Sequence, residues 1–223
     1  MSNLYIVATP IGNLKDITLR ALEILKQADI ILCEDTRTTK KLLSAYQISK
    51  KCIAFHKFST EKEIDSIVNL FETYEHVALV SDAGTPAISD PGSLLVQLVR
   101  NQKPEVVIHG IAGASALTTA ISISGLPMAQ FTFMGFLPHK KGRQKKLDEA
   151  LAYGHAVIFY ESTHRILKLL QEIETRQPER KILICKELTK LYEKVLSGTA
   201  TELLSQIEAD PSLQKGEFVL ICE

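Results

Sequence analysis

The chain has no net charge: 26 Lys and Arg balance 26 Asp and Glu. The balance holds along its length, with 12 basic and 13 acidic side chains in residues 1–120 and 14 and 13 in residues 121–223. No global field draws such a protein to nucleic acid or membrane, so an RNA partner has to be held by local patches. No stretch approaches the roughly 18 continuous apolar residues of a membrane span, and none is expected. The start, MSNLYIVATP, lacks both a basic segment and a long apolar core, so no signal peptide is expected. Cysteine is scarce. Cys33, Cys52, Cys185 and Cys222 form no CxxC pair, and three of them sit in apolar runs. They read as buried free thiols in a reducing, cytoplasmic setting. Aromatic residues make up 6% of the chain and form no ladder on which successive bases could stack. The signatures GxGxxG, GxxxxGK[ST], HExxH and GxSxG are absent, and the six histidines show no metal spacing. No metal site is expected.

What is present is an ordinary soluble composition, 45% hydrophobic and 23% charged, over 223 residues. That length suits one large domain or two small ones. Short apolar runs alternate with helical patterns. LYIVA (4–8), IILC (30–33), a run near 52–55, HVALVS (76–81) and VVIHG (106–110) read as strands. Helices are expected at 18–28, with Thr18 as N-cap, near 38–46, near 61–74 and from Pro91. Runs without alternation suit strands covered on both faces, and the strand–helix order implies a mainly parallel α/β sheet. From about 113 the pattern restarts. GASALTTAISISG reads as a helix, and FTFMGFL (131–137), HAVIFYE (155–161), KILICKE (181–187) and GEFVLIC (216–222) read as strands. Helices are expected over RQKKLDEALAY and near 164–174 and 200–208, and YEKVLSGTA reads as a hairpin arm. A boundary is expected near 118–130, with no Gly/Ser or Pro linker to mark it.

In parallel α/β sheets ligands bind at the carboxyl ends of strands. Six such ends carry small, polar or charged clusters: TPIGNLKDIT, EDTR, SDAGTPAISDPG, GIAGASA, ESTHR and KELTK. One cluster is an ordinary turn. Six at equivalent ends point to a convergent site that holds its ligand largely through backbone groups. In the longest of them, Gly84 and Gly92 permit positive φ and close approach, while Pro86 and Pro91 stiffen the chain.

At these residues the sequence resembles the small-subunit ribosomal RNA methyltransferases of the tetrapyrrole methylase superfamily. The motifs that carry the resemblance occur in family order over nearly the whole chain. They are LYIVATPIGNLKDITLRALEIL, EDTRTTKKLL, VSDAGTPAISDPG, GASALTTAISISGLP, FMGFLP, ESTHR, KELTK and GEFVL. The resemblance implies two αβα lobes, residues 1–118 and 119–223, with S-adenosylmethionine in the cleft between them. It implies a homodimer and methylation of the ribose 2′-hydroxyl of a cytidine in the decoding region of small-subunit ribosomal RNA. It assigns cofactor contacts to Pro10, Asp82, Ala83, Gly84, Thr85, Ile88, Ser115, Ala116 and Tyr160. Ala112 stands where proline is usual, Thr163 makes ESTHR of the commoner ESPHR, and Lys186 replaces an arginine. The chain stops at Glu223, where many relatives carry a further helical extension.

Methyl transfer from a sulfonium asks the protein mainly for positioning and desolvation, and a ribose hydroxyl gains from a nearby base or cation. The candidates are Asp35, Arg37, Glu161, Lys186 and Glu187. Arg37 and Arg165 suit a phosphate or a carboxylate. HKKGRQKK (139–146) places five cations within eight residues. Lys140, Lys141, Arg143, Lys145 and Lys146 are therefore read as phosphate contacts, extended by Lys40, Lys41 and Arg165. His164 reads as a structural hydrogen-bonder. Competing readings are a tetrapyrrole-like small-molecule methylase and a cofactor-binding ribosome assembly factor without catalysis.

Overall fold

A computed structural model describes residues 2–56, 61–127 and 129–223, without side-chain detail for residues 61–63. The chain divides into two compact units, Met1–Ser115 and Ala116–Glu223.

The first unit is a five-stranded, wholly parallel sheet in the order β3-β2-β4-β1-β5. Its strands are β1 Asn3–Val7, β2 Ile30–Cys33, β3 Lys51–Ala54, β4 His76–Leu79 and β5 Val107–Ile111. Helices α1 Leu19–Gln27 and α2 Thr36–Ala45 cover one face. Helices α3 Glu61–Val68, α4 Leu70–Thr73 and α5 Gly92–Gln102 cover the other. The alternation of side chains explains why β2 has no polar residue: Ile31 and Cys33 enter the core under α1 and α2, and Ile30 and Leu32 the core under α3 to α5. Thr18 caps α1, its hydroxyl accepting from the Ala21 N–H. The helix expected near 61–74 is two helices that meet at Asn69. Pro91 stands just before α5 rather than within it.

The second unit corrects the expectation of a mainly parallel sheet. Its strands are β6 Phe131–Phe136, β7 Ala156–Ser162, β8 Ile182–Lys186, β9 Lys194–Gly198 and β10 Glu217–Cys222, ordered β6-β7-β10-β8-β9. Only β6 and β7 pair in parallel; β10 runs antiparallel to β7 and β8, and β9 antiparallel to β8. The reversal comes from two connections that repetition of strand and helix does not reveal. β8 returns through residues 187–193 into β9, the expected hairpin arm, and the last strand inserts between β7 and β8. Helices α7 Arg143–Leu151, α8 Ile166–Arg176 and α9 Ala200–Ala209 pack on one face through Leu147, Leu169, Ile173 and Leu203. A capping box closes α9, with Thr199 accepting from the Glu202 N–H and Glu202 from the Thr199 N–H. Helix α6, Ala116–Ser124, opens the unit. Among the described residues no helix is long and apolar enough to cross a membrane.

Candidate functional site

Because all strands of the first sheet run the same way, its four chemically loaded loops share one edge. The loop after β4 fastens them together. Towards β2, the Asp82 carboxylate accepts from the Asp35 N–H (3.0 Å), and the Glu34 carboxylate accepts from the Asp82 N–H (3.3 Å). Towards β1, Thr9 and Gly84 exchange two backbone hydrogen bonds of 2.9 and 3.0 Å. Towards β5, the Thr85 hydroxyl donates to the Ala114 carbonyl at 3.0 Å. Asp82, Gly84 and Thr85 thus each bind one neighbouring loop. This is why a dozen small and backbone-specialised residues follow one strand: the segment is the clasp of the whole edge.

Its inner geometry is set by Asp90, whose carboxylate accepts from the Ala87 N–H (2.9 Å) and the Gly92 N–H (2.7 Å). Ala87 is thereby held at φ 71° and Gly84 sits at φ 83°. The two glycines play different parts. Gly84 needs its left-handed backbone, and a Cβ there would meet Ile11 Cγ2 at 3.1 Å. Gly92 is needed for close approach, since a Cβ would stand 2.7 Å from Asp90 Oδ1 and 2.9 Å from the Ala87 nitrogen. Asp82, Ala83 and Ile88 are exposed on this clasp, Thr85 and Ser115 are half-buried, and Pro10 is buried below it.

Beside the clasp lies an open depression of about 520 Å³ lined by Glu34, Asp35, Thr36, Arg37, Ala54, His56 and Asp82. Asp35 is the N-cap of α2, accepting from the Arg37 N–H at 2.8 Å, and its carboxylate pairs with the Arg37 guanidinium at 2.7 Å. Hydrogen bonds from the Arg37 side chain and backbone hold the Asp35 pKa down at about 2. Burial pushes Glu34 and Asp82 the other way, above the ordinary carboxylate range. Glu34 was passed over in the sequence. The signal was there, as the acidic residue that opens EDTR straight after β2. The Arg37 side chain is 86% exposed, and Lys40 and Lys41 are exposed on the same helix.

In the second unit β6, β7 and β8 point the same way, so the loops HKKGR, ESTHR and KELTK share an edge. Tyr160 meets α6 there: its hydroxyl accepts from the Leu117 N–H at 3.1 Å in the first turn of that helix. Phe133 and Phe136 pack edge-on to the Tyr160 ring. Thr163 explains itself, because its hydroxyl accepts from the Gly216 N–H (2.7 Å) and donates to the Gly216 carbonyl (2.9 Å). It braces the turn, and His164, read as a structural hydrogen-bonder, is exposed beside it.

Several charged candidates have partners within the second unit. Glu161 is 1% exposed and its carboxylate pairs with Arg165 at 3.1 Å. Lys186 is 4% exposed and its ammonium donates to the Tyr192 carbonyl at 3.4 Å. Glu187, at φ 51°, accepts from the Lys190 ammonium and the Glu217 N–H, each at 2.9 Å. Burial alone would raise the Glu187 pKa, and these donors more than reverse that, leaving it lowered. The reading of Arg143 as a phosphate contact is corrected. It is 2% exposed, and its guanidinium binds Glu172 at 2.8 Å, out of reach of a surface phosphate. Lys140, Lys141 and Lys145 remain exposed, Lys145 with Glu149 at 3.8 Å, and Lys146 is half-buried.

Known proteins match this arrangement. The family model of tetrapyrrole (corrin/porphyrin) methylases matches residues 3–204. The chain is 46% identical over 222 residues to ribosomal RNA small subunit methyltransferase I of Pasteurella multocida, covering 99% of this chain and 78% of that protein. It is 41% identical over 221 residues to the protein of that name from Thermotoga maritima, covering 99% and 98%. Among solved structures it is similar to diphthine synthase, with a TM-score of 0.76 at 15% identity over 99% of this chain and 89% of that one. It is also similar to uroporphyrin-III C-methyl transferase from Thermus thermophilus complexed with S-adenyl homocysteine, with a TM-score of 0.68 at 16% identity over 100% and 98%. At such identities these two likenesses speak for the fold alone. The profile match and the close relatives together settle kinship: the chain belongs to the tetrapyrrole (corrin/porphyrin) methylase family, on its branch of ribosomal RNA small subunit methyltransferase I proteins.

Proposed function

We propose that the chain transfers a methyl group from S-adenosylmethionine to the ribose 2′-hydroxyl of a cytidine in the decoding region of small-subunit ribosomal RNA. The observation that carries this reading is its 41–46% identity, over nearly the whole chain, to relatives bearing that ribosomal RNA name. The clasp of the first sheet supports the cofactor. Its side chains are small at Ala83, Gly84, Ala114 and Ser115, so backbone donors and acceptors stay within reach of a polar ligand edge. Ile88 offers apolar surface, and the exposed Asp82 carboxylate offers an acceptor. Bound there, the cofactor supplies a methyl group already activated on a sulfonium.

In this reading Pro10, Asp82, Ala83, Gly84, Thr85, Ile88, Ser115, Ala116 and Tyr160 hold the cofactor. Asp35 and Arg37 face the acceptor, with Arg37 as a phosphate or ribose anchor. An Asp35 pKa of about 2 makes it a weak proton acceptor at neutral pH and a firm negative partner for Arg37. Glu161, Lys186 and Glu187 shape the loops at the edge of the second sheet. Lys40 and Lys41 in the first unit, and Lys140, Lys141, Lys145 and Lys146 in the second, supply local positive charge for RNA, with Arg165 Nη1 3.5 Å from His139 Nε2. We further propose a cytoplasmic homodimer, which a monomer mass by light scattering at micromolar concentration overturns.

The test is a methyl-transfer assay with small ribosomal subunits, naked ribosomal RNA and a porphyrinogen as acceptors. Transfer to the subunit or its RNA is expected, with the product mapped as 2′-O-methylcytidine. Transfer to the porphyrinogen alone, or to none of the three, overturns the reading.

A further inference from the structure

Two arginines and two glutamates form a buried network behind the basic loop of the second unit. Arg143 Nε donates to both oxygens of Glu172, at 3.2 and 2.9 Å, and Nη2 lies 2.8 Å from Glu172 Oε2 as an ion pair without hydrogen-bond alignment. Arg143 Nη1 stands 3.8 Å from Glu161 Oε2. The other oxygen of Glu161 accepts from the Ser162 N–H (2.9 Å) and pairs with Arg165 Nε (3.1 Å). Arg165 Nη2 then donates to the carbonyl of Leu137, just past the end of β6, at 2.6 Å.

The network therefore grips residues 138–142 from both sides. Arg165 holds the residue before the segment, Arg143 is the residue after it, and both arginines face the Glu161 carboxylate. The segment between carries exposed Lys140 and Lys141 and turns into α7 through Gly142 at φ 80°. A buried ion pair of this kind adds little net stability compared with apolar side chains of the same volume, because desolvation offsets the attraction. What it does supply is a fixed geometry, since Glu172 holds the planar guanidinium by hydrogen bonds from Nε and places Nη1 3.8 Å from Glu161. Of the five cations in HKKGRQKK, this one is turned inward to fix where its neighbours stand.

We infer that Arg143, held by Glu172, is a positioning residue for RNA, which sets the placement of Lys140 and Lys141 against two adjacent phosphates. The inference rests on the RNA reading of the chain and goes beyond it by naming the device that presents the cations. Arg143 touches no phosphate itself.

The experiment compares four proteins: the parent, Lys140→Gln/Lys141→Gln, Arg143→Met/Glu172→Met, and all four changes together. Each is titrated with a small-subunit ribosomal RNA transcript over a range of salt. Calorimetry with S-adenosylhomocysteine checks that the cofactor site is intact. The lysine pair is expected to flatten the slope of log K against log salt by roughly 1.4–1.8, from two phosphate contacts. The Arg143/Glu172 pair is expected to flatten it as much and to weaken binding about tenfold, with cofactor affinity unchanged. In the methyl-transfer assay its KM for RNA rises while kcat holds. The fourfold variant is expected to lose no more than either pair. Losses that add, or an Arg143/Glu172 pair that keeps affinity and slope, overturn the inference and leave the RNA reading standing. A parent that binds no RNA overturns both. Should the methionine pair fail to fold, Arg143→Lys serves in its place. One ammonium cannot reproduce the planar contact with both oxygens of Glu172, so RNA affinity is expected to fall at least threefold at unchanged cofactor affinity, and an unchanged RNA affinity overturns the inference.

Discussion

Thr9 and Gly84 lie side by side in antiparallel fashion, the N–H of each donating to the carbonyl of the other at 2.9 and 3.0 Å. That two-bond bridge ties the loop after β1 to the loop after β4, and it requires Gly84 at φ 83°. Gly84→Ala is expected to cost about 1–2 kcal/mol from the left-handed backbone. Displacement of Ile11 adds to this, since the new Cβ would stand 3.1 Å from its Cγ2. A lower Tm by calorimetry and at least tenfold weaker binding of S-adenosylhomocysteine check it. An unchanged Tm shows that the bridge is not what holds the clasp.

Asp90 is expected to matter as much as any residue that touches a ligand. Its carboxylate is the acceptor for the Ala87 and Gly92 N–H groups, and it keeps Ala87 at φ 71°. Asp90→Ala strands two donors and is expected to cost about 1–3 kcal/mol for each that stays buried. Cofactor affinity falls with it. Asp90→Asn keeps one acceptor oxygen and is expected to fall between the two, as parallel melts and cofactor titrations will show.

Asp35 and Arg37 give a prediction in pH. The folded Asp35 pKa of about 2 lies below the roughly 3.9 of an unfolded aspartate. Its ionised form therefore favours the folded state fully above about pH 4, and this contribution fades as pH falls towards 2. In Arg37→Gln the side-chain donor is lost while the backbone N–H still caps α2 onto Asp35. The Asp35 pKa should then rise part of the way back, by NMR titration of its carboxyl carbon. A pKa that stays near 2 would assign the shift to the helix cap instead.

Glu34 should respond in the opposite sense. Burial raises its pKa in the folded protein, so protonation favours folding and that benefit is lost as pH rises through the raised value. Glu34→Gln is therefore expected to gain stability relative to the parent at pH 8 and to lose that advantage near pH 4. Thermal melts at the two pH values decide it, and a difference independent of pH refutes it.

The thiols should be silent. Burial pushes Cys33 and Cys185 up to about 11 and Cys222 up to about 12, so almost no thiolate forms at pH 8. A thiol reagent at that pH is expected to spare these three in the folded protein and to label them once it is unfolded in denaturant. Rapid labelling of any of them in the folded protein contradicts the packing described here.

Strand positions and loop chemistry were legible because both are local. Ile30 to Cys33 announce a strand covered on two faces, Thr18 a helix start, and Gly84, Pro86, Asp90 and Pro91 a specialised loop. The clustering of four such loops on one edge followed from parallel pairing alone. The order of the second sheet was not legible, because strand–helix repetition says nothing about a last strand inserted antiparallel between β7 and β8. Nor was the commitment of the charges. In HKKGRQKK five cations look alike as text, and only packing shows that Arg143 is buried against Glu172 while Lys140 and Lys141 face solvent.

By itself, the sequence determined the element types, the loops that carry chemistry and the family, since these depend on residue identity and short-range spacing. Tertiary structure decided which groups remain available. Asp82, Gly84 and Thr85 became a clasp because three neighbouring strand ends lie within hydrogen-bond reach of one loop. Glu161, Lys186 and Glu187 became supports because burial makes an unpaired charge costly, so each had to take a partner. Those pairings join residues as far apart as Glu187 and Glu217, a separation over which sequence spacing carries no geometric information.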